Sequence, residues 1–95
     1  MKYTELNYDG YDKYIIRKLP MLGGITYEFA FPNRYGASVI KHRGSFGASD
    51  DLFELAVLKD RDICYSTYIT DDVIGYLRND EVLELLERIK ELTGE

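Results

Sequence analysis

Residues 34–77 read RYGASVIKHRGSFGASDDLFELAVLKDRDICYSTYITDDVIGYL, and this stretch decides the fold. Two short apolar runs, 35–40 and 52–58, are separated by a polar, glycine-bearing loop, 42–51. Runs this short, carrying Val39, Ile40, Phe53 and Val57, fit strands better than helices. The run 52–59 is nearly all apolar with Glu54 alone in its middle, which reads as a central strand, a helix being the weaker alternative. Asp60-Arg61-Asp62 is a tight polar turn, and 63–69 follows as a partner strand whose alternate residues Ile63, Tyr65, Thr67 and Ile69 share one face. Thr70-Asp71-Asp72 then places a cap and two acids where a helix would begin, so one or two helical turns are expected up to Leu77.

Working outward towards the N-terminus, Ile25, Tyr27, Phe29 and Phe31 alternate with Thr26, Glu28 and Ala30, the period of two of a strand with one buried face. Pro32-Asn33 supplies turn chemistry, so this strand and 35–41 form an antiparallel hairpin. Gly36 and Ala37 leave little side chain there, which calls for a bulge or a close approach of backbones. Residues 14–19 are β-branched and aromatic enough for a first strand, stopped by Pro20 and the Gly23-Gly24 pair. Residues 1–12 are expected as a flexible arm, with a turn from Asn7 to Gly10.

Towards the C-terminus, Asn79-Asp80-Glu81 repeats the cap-and-acid signal and opens a last helix. Val82, Leu85, Leu86, Ile89 and Leu92 fall on one apolar stripe, Leu83 lies off it, and Gly94 stands at a C′-like position. Glu84 to Arg88 and Glu87 to Lys90 are paired on the outer face. Strands first and a helix last give an α+β domain, 1–95, with an antiparallel sheet of about four or five strands and the C-terminal helix packed on one face.

Composition narrows the function classes. Ninety-five residues make one core, and 45% hydrophobic with 31% charged residues is ordinary for a globular chain. Residues 1–49 carry seven Lys or Arg against four acids, and residues 50–95 carry five against thirteen, giving the net charge of −5. An acidic second half repels phosphate backbones, so nucleic acid is an unfavoured partner and a basic protein surface a favoured one. The lone Cys64 forms no internal disulfide and completes no zinc site, which fits a reducing compartment. The first residues lack the apolar stretch of a signal peptide, and no run approaches the roughly eighteen apolar residues of a membrane helix. A cytoplasmic location is therefore expected, without membrane contact. Nine Tyr and four Phe exceed what one helix-on-sheet layer requires. Some are expected at the surface, Tyr27 and Tyr65 among them, as a sheet-face homodimer or a partner site. The helix acids Glu84, Glu87 and Glu91 are the candidate contacts to a basic partner.

The order of several short motifs also resembles a known group. Tyr35-Gly36-Ala37-Ser38-Val39-Ile40-Lys41-His42, Phe46-Gly47, Leu52-Phe53-Glu54-Leu55-Ala56-Val57-Leu58, Ile69-Thr70-Asp71-Asp72-Val73-Ile74-Gly75-Tyr76-Leu77 and Leu85-Leu86-Glu87-Arg88-Ile89 together resemble small accessory proteins of tailed bacteriophages and prophages. The resemblance spans residues 29–92. It implies a setting, an infected bacterial host, and no activity, so it assigns no functional residue.

One cluster looks chemical: Lys41, His42 and Arg43 beside Gly44, Ser45, Phe46 and Gly47, facing Asp50 and Asp51. A carboxylate beside His42 would make an acid–base pair, but no nucleophile motif accompanies it and no catalytic residue is assigned. Loop N–H groups freed by Gly44 and Gly47, with Lys41, Arg43, His42 and Ser45, would cradle a phosphate, although the spacing is neither that of a P-loop nor of a dinucleotide fingerprint. No metal-ligand constellation and no cofactor motif is present; Asp60-x-Asp62 and Asp71-Asp72 read as turns and caps. The leading expectation is a non-enzymatic protein–protein module that modifies or inhibits a host component, such as a defence system. The alternatives are a small-ligand or nucleotide binder using the 42–51 loop, and a virion structural or assembly protein.

Overall fold

Two side chains two residues apart, Tyr27 and Phe29, set the inner face of the sheet: both are 1% exposed. They lie on β2 (Gly24–Ala30), and the computed structural model, which describes residues 3–63 and 73–93, builds the sheet outward from it. β1 (Ile15–Met21) pairs with one side of β2 and β3 (Tyr35–Lys41) with the other, and β4 (Phe53–Lys59) pairs with β3. The far side of β4 is shared by two short strands. β5 (Asp62–Ile63) lies opposite Leu58 and Lys59, and β6 (Ile74–Leu77) opposite Phe53 and Leu55. All pairings are antiparallel, and α1 (Asn79–Lys90) packs on β3 and β4. This is the α+β architecture that the order of the elements implies.

The inner face carries Tyr27, Phe29, Ala37, Val39, Phe53, Leu55 and Val57, which meet Val82, Leu85, Leu86, Ile89 and Leu92. The whole helical stripe is buried, as its spacing requires. Asp80 and Glu81 in the first turn and Arg88 and Lys90 in the last match the helix dipole. Glu81 accepts the Arg78 backbone N–H at 2.8 Å, so the cap is built at Arg78. Asn79 does not serve as the cap. It is the first helical residue, and its amide exchanges two hydrogen bonds with the Asn7 backbone, at 2.7 and 2.8 Å. The far end of α1 is closed from outside: the Asn33 side-chain amide donates to the carbonyls of Ile89, Lys90 and Leu92 at 2.9, 3.1 and 2.9 Å. Its Oδ1 accepts the Tyr35 N–H at 3.0 Å, so one residue shapes the β2–β3 turn and satisfies the helix C-terminus.

A twelve-residue helix cannot cover this sheet, and the segment expected as a flexible arm covers the β2 side. Leu6 is buried, and Tyr8 stands edge-on to Tyr27 and Phe29 with ring centroids 5.9 and 5.8 Å away. Tyr14 does the same to Phe31 at 5.0 Å. The Tyr11 hydroxyl donates to Glu87 at 2.7 Å, and burial together with that carboxylate pushes the phenol up to about 12. These tyrosines take up part of the aromatic surplus. Tyr27 is therefore a core residue and not a partner contact, while Tyr65 lies outside the described residues.

Two boundaries differ from the expectation. β1 does not stop at Pro20 but runs through it to Met21, because the hairpin closes with a two-residue turn, Leu22-Gly23, whose φ angles are both positive. Met21 and Gly24 then form the bonded pair next to the turn, which leaves Pro20 at a non-bonded position where its missing N–H would face solvent. Residues 74–77 are a strand and not a helix. Val73 and Ile74 favour extended backbone, Gly75 is a poor helix former, and β4 offers an unpaired edge beside Phe53 and Leu55. The cap expected at Thr70-Asp71-Asp72, the rest of the 63–69 strand and Gly94 lie outside the described residues. Gly36 answers to the close approach: a Cβ there would run into the carbonyl oxygen of Phe29 on β2. Among the described residues no helix is long and apolar enough to cross a membrane.

The helix packing predicts that Leu86→Ala, at a fully buried position, costs about 2–5 kcal/mol. Leu83 is only partly buried against the core, and Leu83→Ala is expected to cost clearly less. Urea midpoints compare the two, and equal losses would mean that the helix presents a different face to the sheet.

Candidate functional site

Lys41 ends β3 on the inner face, and its side chain runs beneath the N-terminal segment instead of out to solvent. It is 2% exposed. The ammonium donates to the Thr4 carbonyl at 2.8 Å and to Asp51 Oδ1 at 3.0 Å, and sits 3.8 Å from the centre of the Phe53 ring. Burying an ammonium this far is costly unless it is paired and hydrogen-bonded, and here it is both. Asp51 also accepts the Thr4 N–H at 2.9 Å and the Thr4 hydroxyl at 2.6 Å. The Thr4 hydroxyl first, then the Thr4 amide and Lys41, hold the Asp51 carboxyl down to about 2.

The loop that follows is closed on itself. His42 is 8% exposed; its N–H donates to Ser45 Oγ at 3.0 Å, Ser45 Oγ donates back to the His42 carbonyl at 2.9 Å, and Nδ1 accepts the Gly44 N–H at 3.0 Å. Nδ1 is thus an acceptor, which puts the ring proton on Nε2. The Ser45 amide bonds the His42 carbonyl, Phe46 the Glu54 carboxylate at 2.7 Å, Asp50 and Leu52 the Gly47 carbonyl, and Asp51 the Ala48 carbonyl. Gly47 is needed twice over: its φ is +98°, and a Cβ would lie 2.9 Å from the Tyr76 backbone.

Of the residues singled out in the sequence, the fold brings Lys41 and Asp51 together and separates the rest. Arg43 is exposed, its amide tied to the Leu22 carbonyl at 3.2 Å, while Lys41 points into the protein. The two cations therefore do not converge on one anion, and Ser45 and most of the loop amides already bond within the chain. An anion cradle is not assembled at Lys41, His42, Arg43, Ser45 and Gly47. Nor is an acid–base pair: Asp51 faces Lys41 and Thr4, and His42 faces Gly44 and Ser45. On the helix, Glu87 is engaged by Tyr11 and by Lys90 at 3.2 Å, whereas Glu84 and Glu91 are exposed.

The sequence reading missed a cleft of about 260 Å³ between the N-terminal segment and the sheet, lined by Thr4, Glu5, Ile25, Tyr27, Lys41 and Phe53, among others. It also missed an apolar surface. On β1, Leu19 and Met21 pair across from Thr26 and Gly24, so they face away from the helix, and with Ile16 and the turn residue Leu22 they are 43–50% exposed. Phe46 and Tyr76 are joined by the Tyr76 N–H on the Phe46 carbonyl at 3.4 Å and are 60% and 59% exposed. The signal was present only as apolar residues on both parities of 15–22, which a one-sided strand does not need. No family model, curated protein or solved structure matches the chain.

The Asp51 cluster makes a pH prediction. Because its folded pKa lies below the ordinary 3.8, its contribution is full above about pH 4 and is lost as pH falls towards about 2. Asp51→Asn should cost about 1–2 kcal/mol at pH 7, the low end for charge-assisted bonds, since the carboxylate is 45% exposed and screened. Unfolding measured at both pH values should show that deficit shrinking by pH 2; a deficit independent of pH would mean that the ionised carboxylate is not what matters.

Proposed function

We propose that this chain works by binding a partner protein through the outward face of its β1 half. The observation that carries the reading is the apolar set Ile16, Leu19, Met21 and Leu22, each 43–50% exposed on one strand and its turn, with Leu19 and Met21 on the side of the sheet that the helix leaves bare. Exposed apolar residues gathered in one place are characteristic of interaction sites, whereas scattered ones carry no message. Phe46 and Tyr76 add two aromatic anchors at the loop end of the same sheet, the residue types that dominate interface energetics. Further along that face the surface is closed by charge: Arg61 reaches back from the β4–β5 turn to Glu28 at 3.2 Å, and Arg17 approaches the same carboxylate at 3.8 Å.

The partner docks on the face and does not extend the sheet. β1 bears three devices that discourage strand addition at its free edge: a bulge between Ile15 and Arg17, a lysine at Lys18 and a proline at Pro20. A second copy paired antiparallel through β1 would also bring Arg17 and Lys18 of the two chains together, which is unfavourable. The phage-like motif pattern of residues 29–92 sets this partner in an infected bacterium, as a host component such as a defence system that the small protein modifies or inhibits. The nucleotide-binding alternative loses its support, because the loop's donors and Lys41 are already engaged within the chain.

The test is affinity capture from infected-cell lysate with identification of the retained protein, followed by titration with the purified partner. Leu19→Glu with Met21→Lys, both at exposed positions, should weaken binding at least tenfold, about 1.4 kcal/mol, without loss of thermal stability. Charge reversal at Glu84 and Glu91 should leave the affinity within about twofold. The opposite pattern would move the interface to the acidic helix.

A further inference from the structure

The cleft beside Lys41 has charges that are balanced in its walls and one donor that is not matched. Tyr27 is 1% exposed, and it lines the cleft. The oxygen accepts the Leu6 N–H at 2.9 Å, and the phenolic proton has no acceptor among the described residues. A phenol can do both at once, so a buried donor is left without a protein acceptor on a residue that borders open space. Ile25, Tyr27 and Phe53 supply the apolar part of the cleft wall, beside the polar Thr4, Glu5 and Lys41.

Charge then selects against ions. The Lys41 ammonium is taken by Asp51, by the Thr4 carbonyl and by the face of Phe53, while Glu5 at the rim bonds Lys18 at 3.0 Å. An anion entering the cleft would approach Glu5 and gain no free cation; a cation would approach Lys41 and gain no free carboxylate. Either would also give up part of its hydration against Ile25, Tyr27 and Phe53 without a free partner in return. About 260 Å³ is the room of roughly nine waters at about 30 Å³ each, or one substituted six-membered ring.

We propose that this cleft binds a small neutral aromatic molecule carrying a single hydrogen-bond acceptor, with Tyr27 donating to it and Phe53 and Ile25 enclosing the ring. The site lies on the helix side of the sheet beneath the N-terminal segment, so it is independent of the outward face to which a protein partner is assigned. The bound ring would bridge residues 3–5 to β2, β3 and β4, adding to the contacts that Thr4 makes with Asp51 and Lys41.

The experiment titrates the full chain with acetophenone, ethylbenzene, benzoate and benzylamine, following backbone amide shifts by NMR. Acetophenone should shift the amides of Thr4, Gly24 and Ile25 saturably at millimolar concentration, with benzoate and benzylamine at least about tenfold weaker. Tyr27→Phe should weaken acetophenone about fivefold and leave ethylbenzene unchanged, the difference that one neutral hydrogen bond makes. Because that substitution also removes the acceptor of the Leu6 amide, Ile25→Trp provides a second variant: it fills the cleft from a half-buried wall position and should abolish the acetophenone shifts while the rest of the amide spectrum stays that of the folded chain. The proposal is overturned if acetophenone produces no saturable shift at those amides, if the charged probes bind as tightly, or if both variants bind it as the wild type does.

Discussion

One helix of twelve residues has to share the inner face of a sheet five positions wide, and most of the remaining structure follows from that shortage. α1 takes β3 and β4, so the β2 side must be covered by something else, and the N-terminal segment does it with Leu6, Tyr8, Tyr11 and Tyr14. Apart from a short turn at Asp12–Tyr14 the segment has no regular hydrogen bonding, so it can lie on a sheet only if its backbone groups are satisfied elsewhere. They are met by Asp51, Tyr27, Asn79 and the buried Lys41. The polar residues beneath the segment are therefore part of how the core is closed.

The same shortage explains the composition. Tyrosine suits a cover made of irregular chain, because its ring fills apolar space while its hydroxyl reaches a rim or a backbone amide. Tyr27 bonds Leu6 and Tyr11 bonds Glu87, each joining elements far apart in sequence. With no second helix among the described residues, the outward side of β1 keeps its apolar residues in water.

What could be read beforehand was what is local. The alternation at Ile25, Tyr27 and Phe29 and the stripe from Val82 to Leu92 are periodicities within one element, and the structure has both. Pro20 was misread because its tolerance depends on the parity of a hairpin that closes at Leu22-Gly23. Residues 74–77 were misread because the free edge of β4 lies about twenty residues back along the chain. The candidate site suffered most. Lys41 looks like a surface cation until the partner that buries it is known, and that partner, Thr4, lies 37 residues away. Asp51 and Thr4 are 47 apart, and no short-range pattern links them. A glycine-bearing loop flanked by cations suggests an anion site, but whether its amides are free depends on contacts such as Phe46 with Glu54, which only the folded loop defines.

The Asn7–Asn79 exchange has a consequence for how the molecule is made. β1 and β2 are synthesised before the residues that seat the segment preceding them: Asp51 follows, and Asn79 and Glu87 come later still. Until then Tyr27 and Phe29 lack the helix, and the segment over them is held only by Leu6 and Tyr8. Contacts of such sequence separation are slow to form and expose their surfaces while they wait. The interval between synthesis of β4 and release of α1 is thus when this chain is most open to chaperones, to proteases and to association with its own copies on the same message.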